Sequence, residues 1–128
     1  YIGAIGLGEA IRYVEGVDRE AAARYESGLT AYATEKLSAV EGLRIYGSQL
    51  DKCSILSFTI DGTHPYDVGM ILDKLGIAVR TGTHCAEPVM AHYGITSMVR
   101  ASLAMYNTFG EIDMLAEGLK RAARMLRS

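Results

Sequence analysis

Ser54-Ile55-Leu56-Ser57-Phe58-Thr59-Ile60 is the stretch around which the rest of the chain can be organised. From Leu56 to Ile60 every second side chain is apolar, and the hydroxyls of Ser57 and Thr59 lie between them. Because successive side chains of a strand point to opposite faces, this alternation predicts a β-strand with one buried face. Such a strand needs a second layer to cover it.

Three further segments are expected to be strands beside it. Leu43–Tyr46 and Ile77–Arg80 are short strand candidates, and Met98–Ala104 alternates in the same way as the first stretch. One face of that last segment is formed by Val99, Ala101 and Leu103, and the other by Met98, Arg100 and Ser102. Residues 81–97 are expected to be irregular.

Helices are predicted before, between and after these strands along the chain. A short apolar helix spans Gly3–Glu15, weakened by three glycines, and Asp18 is placed to cap a long helix that ends at Glu41-Gly42. The apolar stripe of the long helix follows helical spacing and consists of Ala22, Tyr25, Leu29, Tyr32, Leu37 and Val40.

Two more helices have clear start signals. Pro65, preceded by His64, suits the first position of a helix that Gly76 closes and whose inner side holds Val68, Ile71, Leu72 and Leu75. Thr108 and Glu111 form a capping box for a final helix with an inner face of Ile112, Leu115, Leu119, Ala122 and Leu126. The elements together predict a small α/β sandwich, with about four strands packed against helices.

Composition excludes several classes of protein. The 128 residues are 49% hydrophobic, which suits one globular domain and excludes wholesale disorder. Thirteen Lys and Arg against fifteen Asp and Glu give a net charge of -2, which argues against a nucleic-acid partner. No apolar run reaches the roughly eighteen residues of a membrane span.

The start without Met, in what resembles mid-helix, suggests a fragment of a longer protein. Two cysteines are too few for a disulfide framework and predict a cytoplasmic location.

The segment Arg80-Thr81-Gly82-Thr83-His84-Cys85-Ala86-Glu87-Pro88 places a thiol beside an imidazole, with an arginine five residues earlier. The thiolate is the reactive form of cysteine, and nearby positive charge favours it. A glycine-bearing loop can present such a thiol to a substrate, so Cys85 is a candidate nucleophile. The alternative is a small buried hydrophobic residue, the usual role of a free cysteine.

Other polar residues are open to two interpretations. Arg100, in an otherwise small or apolar strand, could bind a carboxylate bidentately or form a structural salt bridge. Cys53, at the start of a strand, is expected to be structural. No metal site is expected, because His84-Cys85 and His92 lack the paired spacing of a zinc site.

Two segments, Ala78–Pro88 and Val99–Thr108, closely resemble the C-terminal region of group II, Suf-type cysteine desulfurases, a branch that includes enzymes described as selenocysteine lyases. These enzymes belong to the class V aminotransferase family, with the type I pyridoxal-phosphate fold. Three further segments fit the same family in order, namely Ala4–Gly8, Gly42–Gly47 and Tyr66–Gly69. The resemblance covers essentially the whole chain, and it implies a small C-terminal domain with a mainly antiparallel sheet of about four strands.

By this resemblance the parent enzyme converts L-cysteine to L-alanine and keeps the sulfur as a persulfide on its own cysteine. Cys85 matches that nucleophile, and Arg100 matches the arginine that holds the substrate carboxylate. Arg80 and His84 match residues that line the active site and are given a supporting electrostatic role. Thr83 departs from the pattern, because many relatives carry histidine there, which removes a possible proton shuttle.

The cofactor lysine of the family has no match among Lys36, Lys52, Lys74 and Lys120. Residues 1–17 are therefore expected to be a helix linking to a missing large domain, and residues 18–128 to be the small domain. No residue of this chain is expected to bind pyridoxal phosphate, and the chain alone is expected to be inactive.

The resemblance also implies partners for the full-length parent. These are L-cysteine or L-selenocysteine, a sulfur-acceptor protein that often serves iron–sulfur cluster assembly, and a second copy in a homodimer. Neither nucleic acid nor membrane is expected. Two alternatives stay open: another class V transaminase or lyase in which Cys85 is incidental, and a stand-alone sulfur-carrier module that uses Cys85 without a cofactor.

Overall fold

The computed structural model describes residues 1–47 and 52–127. In chain order its elements are α1 (Ile2–Glu15), α2 (Arg19–Ser38), β1 (Leu43–Tyr46), β2 (Ile55–Ile60), α3 (Pro65–Lys74), β3 (Arg80–Gly82), α4 (Glu87–Tyr93), β4 (Met98–Ser102) and α5 (Phe109–Leu126). Within these ranges no helix combines the length and the apolar character needed to cross a bilayer.

The four strands form one antiparallel sheet in the order β1-β2-β4-β3. The strand predicted from alternation, β2, lies inside the sheet, where Leu56 pairs with Ala101 of β4. β3 pairs only with β4, and Arg80 lies opposite Arg100. The prediction of an α/β domain with about four mainly antiparallel strands is therefore confirmed.

The main core lies between one face of this sheet and helices α2, α3 and α5. Leu56 and Phe58 of β2 and Val99 of β4 are fully buried there. The helices contribute Leu29, Leu37, Val68, Leu72, Ile112 and Leu119 to the same cluster. Burying a side chain of this size contributes roughly 1.5–3 kcal/mol each, so this layer is the main source of stability.

Local capping determines where the helices begin, as the sequence predicts. Asp18 Oδ1 accepts a hydrogen bond from the Ala21 N–H at 3.0 Å, and Thr108 with Glu111 forms the complete capping box of α5. His64 caps α3 because its Nδ1 accepts from the Tyr66 N–H at 3.3 Å. Helix α2 ends at Ser38, before the predicted end at Glu41-Gly42.

Two predictions between α3 and β4 are wrong. β3 begins at Arg80 and not at Ile77, because its pairs with β4 run only from Arg80 to Gly82. Ile77 and Val79 pack instead against the main core. Residues 81–97 are not wholly irregular, because β3 continues to Gly82 and Glu87–Tyr93 forms α4.

The α4 helix covers the opposite face of the sheet at one end. Met90 of α4, Met98 of β4 and Tyr46 of β1 form a small second cluster, with Ile95 packed against it. The rings of Tyr46 and Tyr93 lie 4.8 Å apart. This second cluster ties the segment after β3 to the sheet.

No side chain of α1 is buried. The exposed large apolar residues of α1 and its N-cap are Tyr1, Ile2, Ile5, Leu7, Ile11, Tyr13 and Val14. The expected division into residues 1–17 and 18–128 agrees with this lack of burial and stays a prediction.

Candidate active site

A row of four side chains crosses the sheet on the face opposite the main core. Tyr46 lies opposite Ser57, Ser57 opposite Arg100, and Arg100 opposite Arg80. Residues directly opposed on neighbouring strands share a face of the sheet. The strand order therefore places the two arginines side by side at the β3 edge, next to the segment that holds Cys85.

Arg80 and Arg100 have no acidic partner in the described part of the chain. The ion pairs found there involve other basic residues. Arg100 is half-buried, and its Nε is a buried donor with no acceptor among the residues that the structure describes. The structural salt bridge considered for Arg100 is thus not formed within residues 1–47 and 52–127. Two unpaired guanidinium groups side by side repel each other and favour a bound anion.

Residues 83–86 form a strained turn that presents Cys85. The Ala86 N–H donates to the Thr83 carbonyl at 3.0 Å, and φ is +56° at His84 and +57° at Cys85. Positive φ at both central residues defines a type I′ turn, for which glycine and asparagine are preferred. The left-handed conformation costs about 1–2 kcal/mol per non-glycine residue. Backbone strain of this kind is concentrated at functional sites.

Both cysteines are free and exposed. The alternative that Cys85 is a small buried hydrophobic residue is therefore wrong, and the predicted loop presentation of its thiol agrees with the structure. Cys53 is exposed just before β2 begins, and its expected structural role stays a prediction.

His84 is bonded to the sheet and not to the thiol. Its Nε2 lies 3.2 Å from the Met98 carbonyl oxygen. Since a carbonyl can only accept, we assign the ring proton to Nε2, which leaves Nδ1 as a buried acceptor with no partner among the described residues. Burial lowers the pKa of His84; its bond to Met98 raises it, and the charges of Arg100 and Arg80 lower it further. Near neutral pH the ring is uncharged.

The four lysines of the described ranges have partners or positions outside this cluster. Lys36 pairs with Asp113, Lys120 pairs with Glu117, and Lys52 donates to the Gly47 carbonyl. Lys74 lies at the end of α3. The described residues thus offer an anion site at Arg80 and Arg100, and the expectation that no lysine here holds a cofactor stays a prediction. They also contain no group of three acidic, histidine or cysteine side chains that could hold a metal ion.

Two features of the site were not predicted from the sequence, namely helix α4 and the pairing of Arg80 with Arg100. The first residue of α4 is linked to the turn, because the Thr83 hydroxyl donates to the Glu87 carboxylate at 3.2 Å. Two residues could have indicated α4 in the sequence: Pro88 near its start and Gly94, which is left-handed at its end. The pairing of Arg80 with Arg100 had no local signal, because it depends on strand register.

Comparison with known proteins assigns the family. Residues 1–115 match the family model described as aminotransferase class-V. A cysteine desulfurase of Pectobacterium carotovorum subsp. carotovorum strain PC1 is 50% identical over 126 residues, which are 98% of this chain and 31% of that protein. A cysteine desulfurase of Escherichia coli O139:H28 is 48% identical over 124 residues, 97% of this chain and 30% of that one. The chain thus spans about a third of the length of these curated relatives.

Solved structures agree in fold. The cysteine desulfurase CsdA from Escherichia coli superposes with a TM-score of 0.89 at 35% identity, over 97% of this chain and 31% of that one. The apo cysteine desulfurase from Thermococcus onnurineus NA1 gives the same TM-score at 38% identity, with the same coverage of both chains. From the family match and these likenesses together, the chain belongs to the aminotransferase class-V family.

Proposed function

We propose that this chain is the C-terminal small domain of a pyridoxal-phosphate-dependent cysteine desulfurase. The full-length enzyme converts L-cysteine to L-alanine and leaves the sulfur as a persulfide on Cys85. One observation supports this above the others, namely the position of an exposed thiol close to two unpaired arginines. The thiol of Cys85 lies in a strained turn that directly follows β3. On β3, Arg80 lies beside Arg100, and neither arginine has an acidic partner in the described ranges. The names of the relatives support the same reaction.

Arg100 binds the substrate carboxylate in this proposal. Its guanidinium lies on the same face as Arg80, is half-buried, and has no competing carboxylate in the described ranges. A planar fork of N–H donors matches a carboxylate bidentately, and partial burial strengthens the charge interaction. Arg80 adds a second positive charge beside it. Together they orient the amino acid towards the Cys85 turn.

Cys85 takes the sulfur of the substrate. Its thiolate attacks that sulfur, so an S–S bond forms while the C–S bond of the substrate breaks and the carbon receives a proton. The balance is L-cysteine plus a protein thiol giving L-alanine plus a protein persulfide. Exposure of Cys85 supports transfer of this sulfur to an acceptor protein, such as one that serves iron–sulfur cluster assembly.

The cofactor belongs to the part of the enzyme outside this chain. When bound, pyridoxal phosphate supplies an electron sink for the negative charge that develops on the amino acid. We assign its lysine to a large domain, with residues 1–17 as the linking helix and residues 18–128 as the small domain. The exposed apolar side chains of α1 support that division. The chain alone is expected to be inactive.

We further propose a homodimeric parent in the cytoplasm. Reduced thiols persist in that compartment, and both cysteines are free.

The test uses the full-length protein that contains this chain, with pyridoxal phosphate and L-cysteine. We expect alanine release from the native protein and from Cys53→Ser, and its loss in Cys85→Ser. Cys53→Ser is the matched control, because it removes the other exposed thiol. After tryptic digestion, the peptide of residues 81–100 should be heavier by one sulfur atom in the native protein.

Three outcomes contradict the proposal. Equal alanine release from native protein and Cys85→Ser would make Cys85 a bystander. Alanine from L-selenocysteine but not from L-cysteine would favour a selenocysteine lyase. An amino-group transfer product in place of alanine would favour a transaminase.

A further inference from the structure

The conformation of the Cys85 turn is not one that its residues prefer. His84 and Cys85 are the only non-glycine residues with positive φ in the described part of the chain. Such a conformation persists only where neighbouring structure over-determines it. The turn therefore requires contacts with neighbouring structure that hold it in place.

Two side-chain hydrogen bonds anchor the turn. The Thr83 hydroxyl bonds to Glu87, and both of these side chains reach solvent, which weakens the bond. His84 Nε2 bonds to the main-chain carbonyl of Met98, whose side chain is buried in the second cluster. Met98 also pairs with Gly82, the last residue of β3. The His84 bond thus ties the turn directly to the rigid sheet.

The geometry argues against direct proton transfer by His84. Its Nε2 is used by the Met98 carbonyl, and its Nδ1 is buried, whereas Cys85 is exposed. No hydrogen bond joins the ring to the Cys85 sulfur within the described ranges. The ring is therefore suited to hold the backbone before Cys85.

We propose that His84 is a positioning residue, which holds the Cys85 turn in its strained conformation through the Nε2–Met98 carbonyl hydrogen bond. This inference rests on the proposed function only for its catalytic consequence. Loss of the bond would let the turn relax, so that the thiol spends less time facing the bound substrate. Substrate binding by Arg100 would be unaffected.

Two variants of His84 test the role of its hydrogen bond to Met98 separately from backbone strain and from proton transfer. Asparagine tolerates positive φ, but its amide is too short to reach the Met98 carbonyl. Glutamine reaches one bond further, can donate to that carbonyl and cannot transfer a proton. His92→Asn is the matched control, because His92 is exposed on nearby α4.

The first measurement is hydrogen exchange of the Ala86 amide in the full-length protein, since this amide closes the turn. We expect exchange to accelerate about five- to tenfold in His84→Asn, the effect of losing one neutral hydrogen bond. It should stay near the native rate in His84→Gln and His92→Asn. Unchanged exchange in His84→Asn would overturn the proposal, whatever the activity of the enzyme.

The second measurement is the rate of persulfide formation on Cys85. We expect His84→Asn to lower kcat by a similar factor with KM for L-cysteine unchanged, and His84→Gln to recover most of kcat. A low kcat in His84→Gln with native Ala86 exchange would overturn the proposal in favour of proton transfer. If the native protein forms no persulfide, the proposed function fails, and the exchange result alone decides the role of His84.

Discussion

Arg80 and Arg100 face each other directly across two antiparallel strands, and neither has an acidic partner in residues 1–47 and 52–127. Like charges in this position destabilise a sheet. Their persistence without compensation indicates a pair that is arranged for an anion. In the proposed reaction that anion is the carboxylate of L-cysteine.

The first prediction concerns that carboxylate. Arg100→Lys keeps the charge and loses the bidentate fork, so we expect KM for L-cysteine in the full-length enzyme to rise by roughly 10- to 100-fold, the range for hydrogen bonds to charged groups. Steady-state alanine release measures this change. Arg121→Ala, an exposed residue of α5, is the control and should leave KM unchanged. An unaltered KM in Arg100→Lys means that Arg100 does not bind the carboxylate.

The second prediction concerns the packing of α3 on β3. A Cβ at Gly69 would lie 2.6 Å from Thr81 Cγ2, and β-branching restricts the χ1 rotation that would relieve this contact. Gly69→Ala should therefore destabilise the domain by about 1–3 kcal/mol, more than the gain in helix propensity. Native-state hydrogen exchange at the Phe58 and Val99 amides measures this free energy.

Gly28→Ala supplies the matched control for Gly69→Ala. Gly28 lies in α2, and a methyl group added there would meet no atom within 4 Å, so alanine should stabilise by about 0.5–1 kcal/mol. Equal effects of the two substitutions would show that the contact with Thr81 imposes no constraint.

The third prediction concerns the capping box of α5. Hydrogen bonds from the Thr108 N–H and from Asn107 lower the pKa of Glu111 below 4.5. The folded state therefore favours the carboxylate, so its contribution is present above pH 4.5 and is lost as the pH falls through the lowered pKa. Glu111→Gln keeps a capping side chain and does not titrate. Exchange of the first-turn amides of α5 should depend less on pH below 4.5 in this variant than in the native protein.

The fourth prediction concerns acid pH and the Cys85 turn. The folded state favours neutral His84, so protonation costs stability as the pH falls below the ordinary value of 6.5 towards the lowered pKa. Arg80 and Arg100 oppose the added charge, and Nδ1–H would become a buried donor without an acceptor. A nuclear magnetic resonance titration should give His84 a midpoint below 6.5. A midpoint above 6.5 would contradict this electrostatic account.

Much of the fold is predictable from local sequence. Asp18, Pro65 and the Thr108–Glu111 box begin their helices where expected, because a cap depends on residues within a few positions of it. Alternation in β2 correctly identifies its buried face. Cys85 and Arg100 are candidates from the chemistry of their side chains, whereas Arg80 and His84 are named only by the family resemblance, and the roles of all four stay predictions.

The arrangement of the site depends on tertiary structure. The opposition of Arg80 and Arg100 depends on the register in which β3 pairs with β4. The positive φ of His84 and Cys85 opposes local preference and persists because the Met98 carbonyl anchors His84. The sequence by itself thus determined the helix starts, the buried faces and the reactive side chains. Only the folded sheet decided how those side chains face one another, because strand register and backbone strain depend on contacts between residues distant in sequence.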